Sequence, residues 1–216
     1  ELTQTREMEN PVLLMAGGLG TRLRPLTRET PKPMLKIGDK PILETIVKQL
    51  VDSGFLNLFV SICYKAEVVR SYFGNGQAWG ANIEYLEESE PLGTAGALSL
   101  LPESSDPFPV LLMNGDILTK VDFRRLVEYH DEQEAHLTMC VREYDFQVPY
   151  GVVSIEDQRV TSLREKPVHT FFVNAGIYIV GKEIISERKK TSAIDMPELI
   201  TQQVARGRNV NVFPIH

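Results

Sequence analysis

The spacing of apolar positions changes several times along the chain, and each change marks an element. Pro11 to Met15 is a continuous apolar run ended by Gly17 and Gly18, the pattern of a strand buried on both faces. Ile42, Leu43, Ile46, Val47, Leu50 and Val51 recur at helical spacing, and Gly54 follows as a stop. "NLFVSIC" (57–63) predicts a second strand and "AEVVRSYFG" (66–74) a short helix closed by glycine. "ANIEYLEE" (81–88) reads as a strand, "GTAGALSLL" (93–101) as the opening of a helix, and "FPVLLMNGD" (108–116) as a third very apolar strand running into Gly115 and Asp116. "DFRRLVEYHDEQ" (122–133) then has helical spacing at Phe123, Leu126, Val127 and His130. This alternation argues for an α/β fold, a mostly parallel sheet with helices on both faces.

After about Ala135 the texture changes. "AHLTMCVR", "YGVVSIE", "RVTSLREK" and "FFVNAGIYIV" predict strands with little helix between them, a mixed-sheet extension that covers the binding edge. "IDMPELITQQVARG" (194–207) is a last helix, with Asp195 placed to cap it and Gly207 to end it, and "NVNVFPI" (209–215) is a closing strand.

A chain of 216 residues can bury one substantial core, so residues 11–216 are expected to form one domain, with the polar residues 1–10 as a linker or tail. The net charge of −6 argues against a large nucleic-acid surface, which needs a clustered excess of Lys and Arg. No apolar run reaches the roughly 18 residues of a membrane span, and no leader precedes the first strand, so a soluble cytoplasmic protein is expected. Cys63 and Cys140 stand in strand-like surroundings and read as small buried thiols rather than a disulfide or metal site. His130, His136, His169 and His216 have no metal-binding spacing.

In an open α/β sheet ligands bind at the carboxyl ends of the strands, so the loops after Met15, Glu87 and Leu112 should converge. The first is neither a dinucleotide fingerprint, since Leu23 stands where the third glycine belongs, nor a P-loop, since no Gly-Lys-Ser/Thr follows. What remains is a glycine turn of Gly17, Gly18 and Gly20, then Thr21, Arg22, Arg24, and Lys32 held between two prolines in an extended segment. Backbone N–H groups and cations in that order suit a polyphosphate. The bland alternative is a tight turn with solvated surface charge.

"AGGLGTRLRPLT", "PKPML", "EPLGTAGAL", "LLMNGDI", "YGVV", "REKP", "VNAGIYIV" and "DMPELI" together resemble the motifs of the sugar-phosphate nucleotidyltransferases, and among them the mannose-1-phosphate and heptose-1-phosphate guanylyltransferase branch. The resemblance implies a Rossmann-like GT-A type fold with a mostly parallel mixed sheet flanked by helices. It also implies transfer of a nucleotidyl group from a nucleoside triphosphate to a sugar 1-phosphate, with release of pyrophosphate and with Mg²⁺ as cofactor. Because the sugar phosphate is already an anionic nucleophile, such a reaction needs positioning and charge neutralisation rather than a general base.

By this resemblance Arg22 neutralises the departing pyrophosphate, Lys32 holds the phosphate under attack, and Asp116 binds Mg²⁺, the alternative for Asp116 being a turn residue. Pro91, Gly93 and Thr94 line the base site. Glu88 stands near where thymidylyl relatives carry a Gln, and a carboxylate accepts from the adjacent N–H donors of guanine, which favours GTP over UTP or dTTP. Gly151, Glu165, Lys166 and Asn174 are assigned to the sugar phosphate; Glu165 with Lys166 could equally be a surface ion pair, and Asn174 a satisfied turn residue. Asp195 carries only its capping role.

The family has a further metal-binding Asp in a Trp-x-Asp-x-Gly type motif, and this sequence stops at His216 before one, so the domain is expected to lack its C-terminal end. Three readings stay open beside the guanylyltransferase: a uridylyl- or thymidylyltransferase, a non-catalytic nucleotide- or sugar-phosphate-sensing module, and a generic dinucleotide-binding domain. The last is disfavoured because Glu67 lies beyond Lys65 and within the expected helix rather than at the strand end. A homo-oligomer and an upstream regulatory domain are both compatible with the resemblance.

Overall fold

The structure, a computed structural model, describes residues 6–18, 20, 23–102, 109–188 and 193–215. In chain order, β1 (Val12–Met15) is followed by a small hairpin of β2 (Lys36–Ile37) and β3 (Lys40–Pro41), then α1 (Ile42–Asp52), β4 (Asn57–Ile62), α2 (Ala66–Phe73), β5 (Asn82–Glu87) and β6 (Val110–Asn114). The second half contains α3 (Phe123–Glu132), β7 (Leu137–Gln147), β8 (Val152–Glu156), β9 (Arg159–Arg164), β10 (Val168–Val180), α4 (Lys182–Glu187), α5 (Met196–Ala205) and β11 (Val210–Ile215).

Seven strands form one sheet in the order β11-β7-β10-β6-β1-β4-β5. β1 is parallel to both β4 and β6, β4 to β5, and β11 to β7; β10 alone runs against its neighbours β6 and β7. The sheet is therefore mostly parallel and mixed, as the alternating first half and strand-rich second half predict.

Both faces of the central strands are covered, which is why they read as unbroken apolar runs. On one face Val12, Leu14, Val60 and Leu111 meet Leu43, Ile46 and Leu50 of α1 and Phe123 and Leu126 of α3. On the other, Leu13, Phe59, Leu112 and Tyr178 meet Ala97, Leu98, Ile184 of α4, and Met196 and Leu199 of α5. Cys140 is buried and Cys63 half-buried, and both are free thiols.

Several expectations are corrected. Residues 93–101 form only a short 3-10 turn, Gly96–Leu100, because two glycines stand in the stretch and no amphipathic period sustains a helix. α4, a short helix after Gly181, has too few turns to give a periodic signal. β8 and β9 pair with each other as a separate two-stranded sheet instead of extending the main one. β7 and β10 run on together past the sheet, from Glu143↔Phe172 out to Gln147↔Val168, and form an arm.

Candidate active site

The chain moves from β1 outward to β4 and β5, then returns to the opposite flank of β1 as β6. Loops leaving the carboxyl ends of β1 and β6 diverge at this reversal and leave a crevice. A cleft of about 250 Å³ lies there, lined by Met15, Gly17, Gly18 and Gly20 after β1, Lys32 and Pro33, Glu88, Pro91, Gly93 and Thr94 after β5, and Asn114 and Asp116 at the tip of β6. The three strand-end loops singled out in the sequence converge as expected.

The glycine turn is tightly seated. A Cβ on Gly17 would lie 3.1 Å from Oε1 of Glu88 and 3.3 Å from Cβ of Cys63. Gly20 has φ +58, and its carbonyl accepts a 2.8 Å hydrogen bond from the hydroxyl of the buried Thr27, which closes the loop. Thr27 was not singled out from the sequence; only its place at the end of "RPLT" could have marked it. Thr21 and Arg22, assigned to the nucleotide and to the departing pyrophosphate, lie outside the described residues.

Lys32 does not sit in an extended segment. Pro31 and Leu35 are extended on either side, but Lys32 begins a 3-10 turn, Lys32–Met34, because Pro33 suits the first turn of a helix and Leu35 N–H closes on the Lys32 carbonyl. From that turn its ammonium forms an ion pair with the Asp116 carboxylate. Asp116 is carried there by Gly115, whose N–H donates to the Met15 carbonyl at 2.9 Å and whose Cα leaves no room for a side chain, since a Cβ would meet that oxygen at 2.8 Å.

Glu88 is buried, and its two oxygens accept from the Ser61 hydroxyl and, at 2.8 Å, from the Leu92 N–H. It is thus a clamp that joins the end of β4 to the loop 88–92 as well as a cleft-lining group; Ser61 gave no signal in the sequence. Burial, with Glu88 and Glu87 nearby, pushes the Cys63 thiol up, so Cys63 is no thiolate nucleophile at neutral pH. Asn114 also escaped notice, although it lines the cleft and its side-chain oxygen is buried without a hydrogen-bond partner among the described residues.

The sugar-phosphate candidates lie apart from this lining. Gly151 and Glu165 are adjacent at the base of the β8–β9 hairpin, where a Cβ on Gly151 would meet Oε2 of Glu165 at 3.0 Å, and the N–H of Lys166 donates to the Tyr150 carbonyl. Asn174 stands at a bulge of β10, accepting from the Gly176 N–H at 2.8 Å and bonding to the Tyr178 hydroxyl, so the satisfied-turn alternative describes its contacts. Gly176, at φ +73, in turn abuts Asn114. No group of three or more His, Cys, Asp or Glu side chains able to hold a metal stands among the described residues. None of their helices is long and apolar enough to cross a membrane.

The family model described as nucleotidyl transferase matches residues 11–212. The chain belongs to the nucleotidyl transferase family. Within this family the chain is 38% identical over 173 residues to a D-glycero-alpha-D-manno-heptose 1-phosphate guanylyltransferase from Aneurinibacillus thermoaerophilus, covering 80% of the chain and 75% of the relative. It is 36% identical over 213 residues to the mannose-1-phosphate guanylyltransferase catalytic subunit beta of Drosophila melanogaster, covering 93% and 57%. Among solved structures, HddC from Yersinia pseudotuberculosis complexed with GMP-PN superposes with a TM-score of 0.72 at 27% identity, covering 95% of this chain and 90% of that one. The chain spans about half the length of the mannose-1-phosphate relatives it matches.

Proposed function

We propose that this nucleotidyl transferase carries the reaction centre of a sugar 1-phosphate guanylyltransferase, which consumes GTP and a sugar 1-phosphate and yields a GDP-sugar and pyrophosphate. The observation that carries the reading is the meeting of the glycine turn, the Lys32–Asp116 pair and the 88–94 loop in one cleft at the strand reversal. Relatives named as guanylyltransferases support the choice of GTP.

A phosphate oxygen of the sugar 1-phosphate forms a bond to the α-phosphorus while the bond from that phosphorus to the bridging oxygen breaks, and pyrophosphate leaves with the electron pair. No proton need be removed from the nucleophile, which accords with a cleft that, among the described residues, is lined by neither His nor Cys. Lys32 neutralises charge on the phosphate under attack, and Arg22 serves the leaving pyrophosphate. A side chain at Gly17 would crowd Glu88 and Cys63, and the bare backbone of the turn would let the triphosphate approach its N–H groups.

Each Glu88 oxygen has one protein partner and a second acceptor site, so the carboxylate retains capacity for the N1–H and N2–H₂ donors of guanine. On the far side, Glu165 would accept from sugar hydroxyls, with Lys166, Gly151 and Asn174 completing that pocket.

Nucleotidyltransferases of this family generally use a divalent metal. Asp116 offers one hard oxygen donor beside the phosphate site, and Mg²⁺ is commonly held by one or two carboxylates plus substrate phosphates, so the residue fits such an ion. Held by Asp116, such an ion would supply neutralisation of phosphate charge.

The test is pyrophosphate release by the full-length protein from GTP, UTP and dTTP against mannose, heptose and glucosamine 1-phosphates. Preference for GTP is expected; preference for UTP or dTTP overturns the base assignment, and nucleotide binding without turnover for any sugar favours a sensing module.

A further inference from the structure

We propose that Asp195 is a positioning residue for the nucleotide pocket, holding the Gly93–Thr94 backbone in the shape that lines the cleft. The proposal rests on reading the cleft as a nucleotide site, and it goes beyond a capping role for Asp195. Asp195 occupies the N-cap position of α5, yet its side chain makes no capping hydrogen bond to that helix. Its Oδ1 instead accepts from the Thr94 N–H at 2.9 Å and from the Thr94 hydroxyl at 3.2 Å. The capping is done from the other segment, since the Met196 N–H donates to the Thr94 hydroxyl oxygen at 2.8 Å. Thr94 and Asp195 have exchanged duties across 101 residues of sequence.

The surrounding backbone reinforces the clip. Ile194 N–H donates to the Leu92 carbonyl at 2.8 Å, and Ala95 N–H to the Ile194 carbonyl at 3.0 Å. Gly93, at φ +78, passes so close that a Cβ would stand 2.6 Å from the Ile194 oxygen and 2.9 Å from Asp195 Oδ1. Residues 88–95 are therefore anchored at one end by Glu88 through the Leu92 N–H and at the other by Ile194 and Asp195. Between the anchors lie Pro91, Gly93 and Thr94, the segment that faces the cleft. Without Asp195 the amide and hydroxyl of Thr94 lose their shared acceptor, and the loop gains freedom that a bound base must remove again.

This predicts an effect on nucleotide affinity rather than on chemistry. In the full-length protein Asp195→Ala should raise KM for the nucleoside triphosphate about tenfold or more, the range expected for losing a hydrogen bond to a charged group. kcat and KM for the sugar 1-phosphate should stay within about threefold. Asp195→Asn keeps an acceptor oxygen at the same place and should restore most of the affinity. A residue acting only on helix stability would lower the melting temperature and leave the two KM values moving together. Should Asp195→Ala not fold, Asp195→Ser, which keeps a good N-cap but is one atom too short to reach Thr94, carries the same expectation. Calorimetry of the wild type with GTP, UTP and dTTP separates the two claims. If none binds, the nucleotide reading of the cleft fails and Asp195 with it; if the wild type binds and Asp195→Ala and Asp195→Ser bind equally well, the Asp195 assignment alone is overturned.

Discussion

In the half of the sheet built from β5, β4, β1 and β6, side chains such as Leu13, Leu58 and Leu112 have lost essentially all contact with solvent. In the arm, where β7 and β10 run past the sheet beside the β8–β9 hairpin, Phe172 is 65% exposed and Ile155 69%. Both regions carry residues expected at the site, but they are held by different means. The cleft residues Lys32, Glu88 and Asp116 stand on loops fixed by a core closed on both faces. Gly151, Glu165 and Lys166 stand at the base of a ribbon ordered by backbone pairing and cross-strand contacts such as Ser162 with Ser154. Rigid placement suits groups that must meet developing charge, whereas contacts to sugar hydroxyls tolerate a softer support.

The contrast can be broken most strongly at the cleft. Asp116→Asn is expected to lower kcat 100- to 1000-fold while the melting temperature hardly moves, because the Lys32–Asp116 pair is partly exposed and contributes little to folding; pyrophosphate release and a thermal melt together check this. Leu112→Ala, which empties space on the face packed by α4 and α5, should cost about 3–4 kcal/mol in urea unfolding.

A third prediction concerns His130, buried between α3 and β7 with Nδ1 2.9 Å from the Thr138 hydroxyl. Burial holds its pKa down at about 4, against 6.5 for a free imidazole. Between these values the unfolded chain binds a proton that the folded one refuses, so its contribution is complete above pH 6.5 and is lost as pH falls towards 4. The total is about 3 kcal/mol, and urea unfolding of wild type and His130→Gln at pH 7 and pH 4.5 should show the variant with the flatter dependence.

Effects in the arm should be smaller. Glu165→Gln is expected to raise KM for the sugar 1-phosphate about tenfold and leave kcat within about threefold, read in the same pyrophosphate assay. Phe172→Ser should change unfolding free energy by less than about 0.5 kcal/mol, as for other exposed positions. A loss there as large as that of Leu112→Ala would mean that the arm is buried in the working protein, and the contrast between the regions would vanish.

The same division governs what the sequence reveals. Strands of the closed half are legible because covering both faces demands unbroken apolar runs, and their glycine-terminated ends announce where backbone must be approached. The rule locates the loops after β1 and β6, while Glu88, Gly93 and the role of Asp116 come from the family resemblance. Ser61, Thr27 and Asn114 come from neither, since each acts through a partner far away in sequence or through a surface that only the folded chain creates. Asp195 looks like an ordinary helix cap because the residue that redirects it, Thr94, lies 101 positions earlier. In the arm, alternation reveals the strands but not their partners, so the separation of β8 and β9 from the main sheet could not be read.

β10 belongs to both regions. Its inner end, Ile177–Val180, is bonded to β6 on one side and β7 on the other, while from Val168 to Asn174 it pairs with β7 alone. The bulge between Asn174 and Tyr178 divides the two stretches. Amide protons of a single strand should therefore exchange with solvent on two clocks: the inner ones only when the whole domain opens, the outer ones each time the ribbon loosens.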